Sequence, residues 1–196
     1  MRKTAGIARG ANAARGAISV AVALAISFVA LALVAPAAHA GPPLPVLLAS
    51  EAPSLRPLGE GRLRWFGLHI YDSALWVPGD AWSFERAFAL DIRYAMNIKG
   101  RDLSRRSIEE MRGIGITDDG KLKRWEEAMD RVFPDIRPGD RLVGLHLPGK
   151  EARFYSQERL LGTIADPEFA RAFFGIWLDE KTSEPKLRAQ LLRLPG

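Results

Sequence analysis

An arginine followed by a tyrosine on a strand is the pairing in this sequence that points most directly to chemistry, and it occurs at Arg93-Tyr94. Neighbouring strand residues face opposite sides of a sheet. Tyr94 therefore joins the apolar set Phe88, Leu90, Ile92 and Met96, whereas Arg93 lies with Asp91 and Asn97. If that second side meets water, Arg93 is a surface residue paired with Asp91. If helices cover it, a buried guanidinium needs an anion, and a ligand carboxylate would serve. Arg62 and Arg64 pose the same question on an earlier strand.

Histidine offers less. His69 and His146 each sit among apolar strand residues, and neither has a second ligand nearby in sequence. A metal bond or an axial bond to haem through one of them is the cofactor reading they allow; otherwise no cofactor is expected. The chain has no cysteine, which excludes disulfide scaffolds, thiolate metal sites and cysteine nucleophiles. Nucleophile-elbow, phosphate-loop, metalloprotease and dinucleotide fingerprints are absent. Arg101, Arg105 and Arg106 cluster, but Glu109 and Glu110 follow at helical spacing and can neutralise them.

The elements that must position these residues follow from periodicity. A strand pattern runs from Arg62 to Trp76, with Gly67 as a bulge or a point of close approach, and Pro78-Gly79 ends it. Phe88 to Asn97 alternates with a period of two. Asp102 or Ser104 can cap a helix through Met111, and Asp118 or Asp119 a second that places Leu122, Trp125 and Met129 on one side. Asp140 to Leu147 and Ala152 to Tyr155 read as a hairpin, followed by a short turn into Thr163-Ile164. Asp166 caps a helix with Pro167 at its first position, and a last helix runs from Glu184 or Pro185 to Leu194. Strands, two helices, a hairpin and further helices without βαβ alternation predict an α+β domain: an antiparallel sheet covered on one face by helices. An apolar cavity between those layers is the expected form of a small-molecule site.

Charge bears on partners only once it is located. The 196 residues hold 28 Lys and Arg against 23 Asp and Glu, a formal +5. Arg2, Lys3, Arg9 and Arg15 account for four of the 28, and residues 1–40 contain no acid. The rest of the chain is almost neutral, so neither nucleic acid nor a membrane surface is an expected partner after export. Residues 1–40 read as a cleaved export signal: a basic start, an apolar stretch from Ala17 to Ala35, and Ala38-His39-Ala40 before Gly41. That route predicts a periplasmic protein, in which residues 41–57 form an extended lead-in and residues 58–194 the folded domain.

Several segments taken together resemble the bacterial exported branch of the chalcone isomerase-like family. They are Gly61-Arg-Leu-Arg64 leading to Ile70-Tyr71-Asp72-Ser-Ala-Leu75, Ile92-Arg93-Tyr94, Pro138-Gly-Asp-Arg141, Leu161-Gly-Thr-Ile164 through Leu178, and Ser183-Glu-Pro-Lys-Leu-Arg188. The resemblance spans roughly residues 54–194 and is most specific in the C-terminal stretch. It implies an open-faced β-sandwich with a ligand cleft between sheet and helices. Members include enzymes that cyclise chalcones and non-catalytic relatives that bind fatty acids. In the enzymes an arginine near the opening strand holds the substrate oxyanion, a threonine and a tyrosine order a water, and a tyrosine and an asparagine complete the pocket. By that correspondence Arg62 or Arg64 stands for the arginine, Asp72 for the threonine, Leu103 for the second tyrosine and Glu110 for the asparagine. A leucine and a glutamate there argue against stabilising the developing charge of a cyclisation. The expectation is a non-catalytic binder of a small apolar carboxylate ligand, with Arg62, Arg64 or Arg93 as anion partner and Tyr71 or Tyr94 as donor. An isomerase (intramolecular lyase) acting on an enone in the same cleft, a haem binder, and a scaffold domain with a filled core are the alternatives. Sequence does not set the oligomeric state.

Overall fold

The structure, a computed structural model, describes residues 43–195. The expected export signal lies outside the described residues. Six antiparallel strands form one sheet in the order β1-β2-β3-β4-β5-β6: β1 (Leu55–Trp65), β2 (Leu68–Pro78), β3 (Phe88–Tyr94), β4 (Arg141–Leu147), β5 (Glu151–Tyr155) and β6 (Leu160–Ile164). Each strand pairs with its sequence neighbour. Only the β3–β4 connection is long, and it carries α2 (Gly100–Gly113) and α3 (Asp119–Val132). With α4 (Pro167–Leu178) and α5 (Pro185–Leu192) these helices cover one face, which is the expected open-faced α+β sandwich.

The main core lies between the layers. β3 sends Phe88, Leu90, Ile92 and Tyr94 into it, and α4 sends Phe169, Phe173 and Phe174. Phe173 meets Phe154 edge to face at 5.0 Å. Asp166 accepts from the amides of Glu168 and Phe169 with Pro167 at the first helical position, as sequence predicts, so α4 starts at a defined point and its aromatic face is fixed on the sheet. Asp118 likewise caps α3. The first helix differs from expectation. α2 begins at Gly100, two residues before Asp102, and Ser104 bonds back to the Gly100 carbonyl instead of capping.

Two further differences affect the site. The single strand expected from Arg62 to Trp76 is a hairpin that turns at Phe66-Gly67, and its first arm starts at Leu55. Both turn residues have positive φ, 48° for Phe66 and 81° for Gly67. A two-residue hairpin needs this geometry but usually takes it from Asn-Gly or Asp-Gly. Phenylalanine gives no turn signal, and the left-handed region costs a side-chain-bearing residue about 1–2 kcal/mol. Gly67 therefore serves the turn, while the register shifts of this pair lie at Pro57/Gly59 and Leu63/Arg64. In place of an extended lead-in, the chain forms a short helix, α1 (Val46–Glu51), on the sheet face away from the other helices. Leu44 and Leu48 pack there on Ala89, Val143 and Leu145. The Tyr155 hydroxyl and Arg153 both donate to Glu51, at 2.8 and 2.6 Å.

That outer face also holds a buried ion pair. Arg141 Nε donates to Asp91 at 2.7 Å, and its Nη1 reaches the Pro43 carbonyl and Gln157. Asp91 is thus paired across the sheet with β4, and Arg93 has no ion-pair partner among the described residues.

Candidate functional site

Alternation on the first three strands decides which predicted residues can meet a ligand. Leu63, Tyr71 and Tyr94 are in register across β1, β2 and β3, and Tyr71 and Tyr94 are buried on the helix side. Arg62, Asp72 and Arg93 form the adjacent row and point to the other face, where Arg62 donates to Asp72 at 2.6 Å. These three line a smaller groove of about 520 Å³ on the outer face. Arg64 is exposed and paired in register with His69. None of the three expected arginines enters the space between sheet and helices. The reason is the pleat: the row Arg62, Asp72 and Arg93 alternates with the inward row Leu63, Tyr71 and Tyr94, and so faces outward.

The sheet–helix cleft exists as a cavity of about 910 Å³, within the range of small-molecule sites. Sheet residues Leu63, Ile70, Ile92 and Leu142 form one wall, and Leu103, Phe173 and Ile176 face them from α2 and α4. The most deeply placed polar groups are two phenols. Trp177 Nε1 donates to the Tyr71 hydroxyl at 2.8 Å, which leaves that hydroxyl's own proton uncommitted. Tyr94 lies edge-on to Tyr71 with ring centres 5.9 Å apart, and its hydroxyl has no partner among the described residues. Burial raises both phenols above their ordinary range, and the Trp177 bond only partly offsets this at Tyr71. Both therefore stay protonated at neutral pH and act as donors to an oxygen acceptor.

Most of the charge at the cleft is paired within it. Arg106 bonds Glu110 and lies 3.2 Å from Glu109; Glu110 also accepts from Ser183 at 2.7 Å. Lys99 bonds Asp135 and Arg105 bonds Asp102, each at 2.7 Å. Arg137 lines the opening without an ion pair among the described residues. Helical spacing makes Arg106 and Glu110 a solvated pair, yet both line the cleft, with Leu103, Arg106 and Glu110 at spacings of three, four and seven on one helix face. The correspondence that put Leu103 and Glu110 in the pocket is consistent with their positions. The donor role of Trp177 has no signal in the sequence, because apolar helical spacing marks it only as core.

Neither histidine lines the cavity. His146 is buried against Phe88, stacked at 4.7 Å, and its Nε2 donates to the Phe84 carbonyl at 2.8 Å. Burial lowers its pKa, so the ring is neutral. His69 Nε2 lies 3.2 Å from Asp72 on the outer side.

A six-stranded antiparallel meander with helices on one face, and between them a cleft with apolar walls and a few convergent donors, define an open-faced sandwich with a candidate small-molecule cleft. The chain belongs to the chalcone isomerase-like family, whose model matches residues 44–193. An uncharacterized protein of Haemophilus influenzae is 30% identical over 138 residues, covering 70% of this chain and 67% of that one. Among solved structures, the Arabidopsis thaliana fatty-acid binding protein AtFAP1 superposes with a TM-score of 0.54 at 13% identity, over 71% of this chain and 87% of that chain. That likeness shows the shared fold.

Proposed function

We propose that this protein is a non-catalytic, exported carrier of an apolar ligand with a terminal oxygen acceptor, a fatty acid being the fitting class, held in the sheet–helix cleft. The observation that carries this reading is the pair of buried, protonated tyrosines, Tyr71 and Tyr94, beside the apolar walls of a cavity of about 910 Å³. The acyl chain lies between the sheet wall and α2, and the head group accepts from the phenols. Leu103 supplies no hydroxyl, and Glu110 is occupied by Arg106 and Ser183, so the cleft has no free group there to steer a phenolate or stabilise an enolate. The fatty-acid binding role of the Arabidopsis relative agrees with the ligand class. The basic and apolar composition of residues 1–40 supports a periplasmic location.

Native mass spectrometry of protein from a periplasmic extract tests both halves. The expected species begins at Gly41 and carries one lipid, and laurate added to stripped protein binds with one-to-one stoichiometry. Ligand-free protein that takes up no laurate would overturn the ligand reading, and a retained leader the location. Turnover of a chalcone would overturn the non-catalytic assignment.

A further inference from the structure

The cleft carries a charge pattern that a plain fatty acid leaves unused. Its ion pairs leave one group of each sign without a partner among the described residues, the carboxylate of Glu184 and the guanidinium of Arg137. Glu184 precedes α5, which packs on β1 and β2, and its side chain makes no cap bond there. It acts on the Tyr71 phenol, where its charge and that of Glu110 help to keep the hydroxyl protonated. Arg137 lies on the other side of the phenol pair, in the loop before β4, where the Gly139 amide donates to the Tyr94 carbonyl at 2.8 Å. β2 and β4 are two strand spacings, about 10 Å, apart. The balance differs between the sides. Near Tyr71, Arg106 stands against Glu109, Glu110 and Glu184; around Arg137, two further cations, Lys99 and Arg105, meet Asp102 and Asp135. The carboxylate excess of the lining is therefore at Tyr71.

We infer that the cleft takes a single-chain amphiphile with a zwitterionic head, an ammonium beside an anionic oxygen acceptor, the chemistry of a lysophospholipid. Across the cleft the order is carboxylate, two phenolic donors, guanidinium, and the complementary head runs from cation through acceptor oxygens. The ammonium meets Glu184, beside the aromatic rings of Tyr71 and Trp177, which line the same wall and attract a cation further. The phenols donate to the phosphate oxygens, and Arg137 adds its charge from the far side. A fatty acid uses the phenols but sets its carboxylate against the acidic excess at Tyr71. The inference rests on the reading of the cleft as a lipid site and names the head group that fits it.

Titration calorimetry of the purified protein tests this with probes of equal chain length, each kept below its micelle-forming concentration: laurate, dodecylphosphocholine and dodecyltrimethylammonium. Dodecylphosphocholine should bind at least roughly tenfold more tightly than laurate. Glu184→Gln keeps the shape of the side chain and breaks no bond of the fold, so Tm should hold. It should cut the preference for dodecylphosphocholine over laurate roughly five- to tenfold, by weakening both ammonium probes and not laurate. Tyr94→Phe should weaken laurate and dodecylphosphocholine but spare dodecyltrimethylammonium, which has no oxygen acceptor. Laurate bound as tightly as dodecylphosphocholine, or a preference unchanged in Glu184→Gln, overturns the inference and leaves the fatty-acid reading standing. Failure of all the probes to bind overturns both.

Discussion

Tyr71 and Tyr94 are assigned the same role towards a ligand but have different partners in the protein, so one methodical pair of substitutions separates binding from stability. Tyr71→Phe removes the acceptor of Trp177 Nε1, an indole in a residue only 9% exposed. A buried donor left unpaired costs about 1–3 kcal/mol. In a domain of this size each kcal/mol moves Tm by roughly 2–4 °C. Tyr71→Phe should therefore lower Tm measurably. Tyr94→Phe deletes a hydroxyl that bonds nothing among the described residues, so it should leave Tm unchanged or raise it slightly.

Both variants should lose affinity for laurate. A hydrogen bond to a charged acceptor contributes about 1.5–3 kcal/mol, which corresponds to a weakening of roughly ten- to a hundredfold. Titration calorimetry gives the affinity and differential scanning calorimetry gives Tm on the same preparations. Trp177→Phe in the Tyr71→Phe background removes both partners and should recover part of the lost stability but none of the lost affinity. Tyr94→Phe with unaltered laurate affinity would refute the two-phenol anchor. Tyr71→Phe with unaltered Tm would show that water in the cleft replaces the lost acceptor.

Three further substitutions address the frame around the site. Asp91→Asn leaves Arg141 buried against a neutral partner and should cost about 3–5 kcal/mol by urea denaturation; a loss below one would show that the Pro43 and Gln157 contacts suffice. Gly59→Ala should destabilise by about 1–3 kcal/mol, because the added carbon would lie 2.4 Å from the Gln190 and Leu191 carbonyls of α5, and backbone cannot yield as a side-chain tip can. The buried His146 is held below its ordinary value of 6.5, so below that pH the unfolded chain binds the extra proton first. Stability should accordingly be constant above the unfolded value and fall with acid down to the folded one, by at most about 1.4 kcal/mol per pH unit. His146→Gln should flatten the wild-type curve in that window, and an unchanged curve would reassign the slope.

The parts of this protein legible in sequence are those governed by local periodicity and capping. Asp118, and Asp166 with Pro167, start two helices where such residues conventionally do, and the alternation from Phe88 onward gave the inward face that holds Tyr94. Facing direction failed at the first strands because Phe66 turns the chain without any turn-forming residue type. A continuous strand through Gly67 left the register of Arg62 and Arg64 undetermined, so both stayed candidates for the cleft. Asp91 could be placed on the side of Arg93, but its actual partner, Arg141, lies fifty residues further along. Pairing across a sheet depends on register between strands, and no spacing within one strand reports it.

The same pleat has a chemical consequence for selectivity. With the strand arginines outside, the formal charge of the cleft lining comes from Lys99, Arg105, Arg106 and Arg137 against Asp102, Glu109, Glu110, Asp135 and Glu184. Among the described residues no cation is buried with the phenols, so a head group there would meet neutral donors, which serve any oxygen of suitable reach. A site built on an arginine would discriminate strongly against an uncharged head. This site should not: the methyl ester of laurate should bind within roughly tenfold of the acid. Acidification towards the ligand's own pKa should strengthen the binding of the acid, since protonation removes a charge the cleft cannot neutralise. Competition calorimetry across that range decides the matter. An ester that binds more than a hundredfold more weakly than the acid, or acid affinity that falls as pH is lowered, would mean that Arg106 leaves Glu110 to meet the carboxylate.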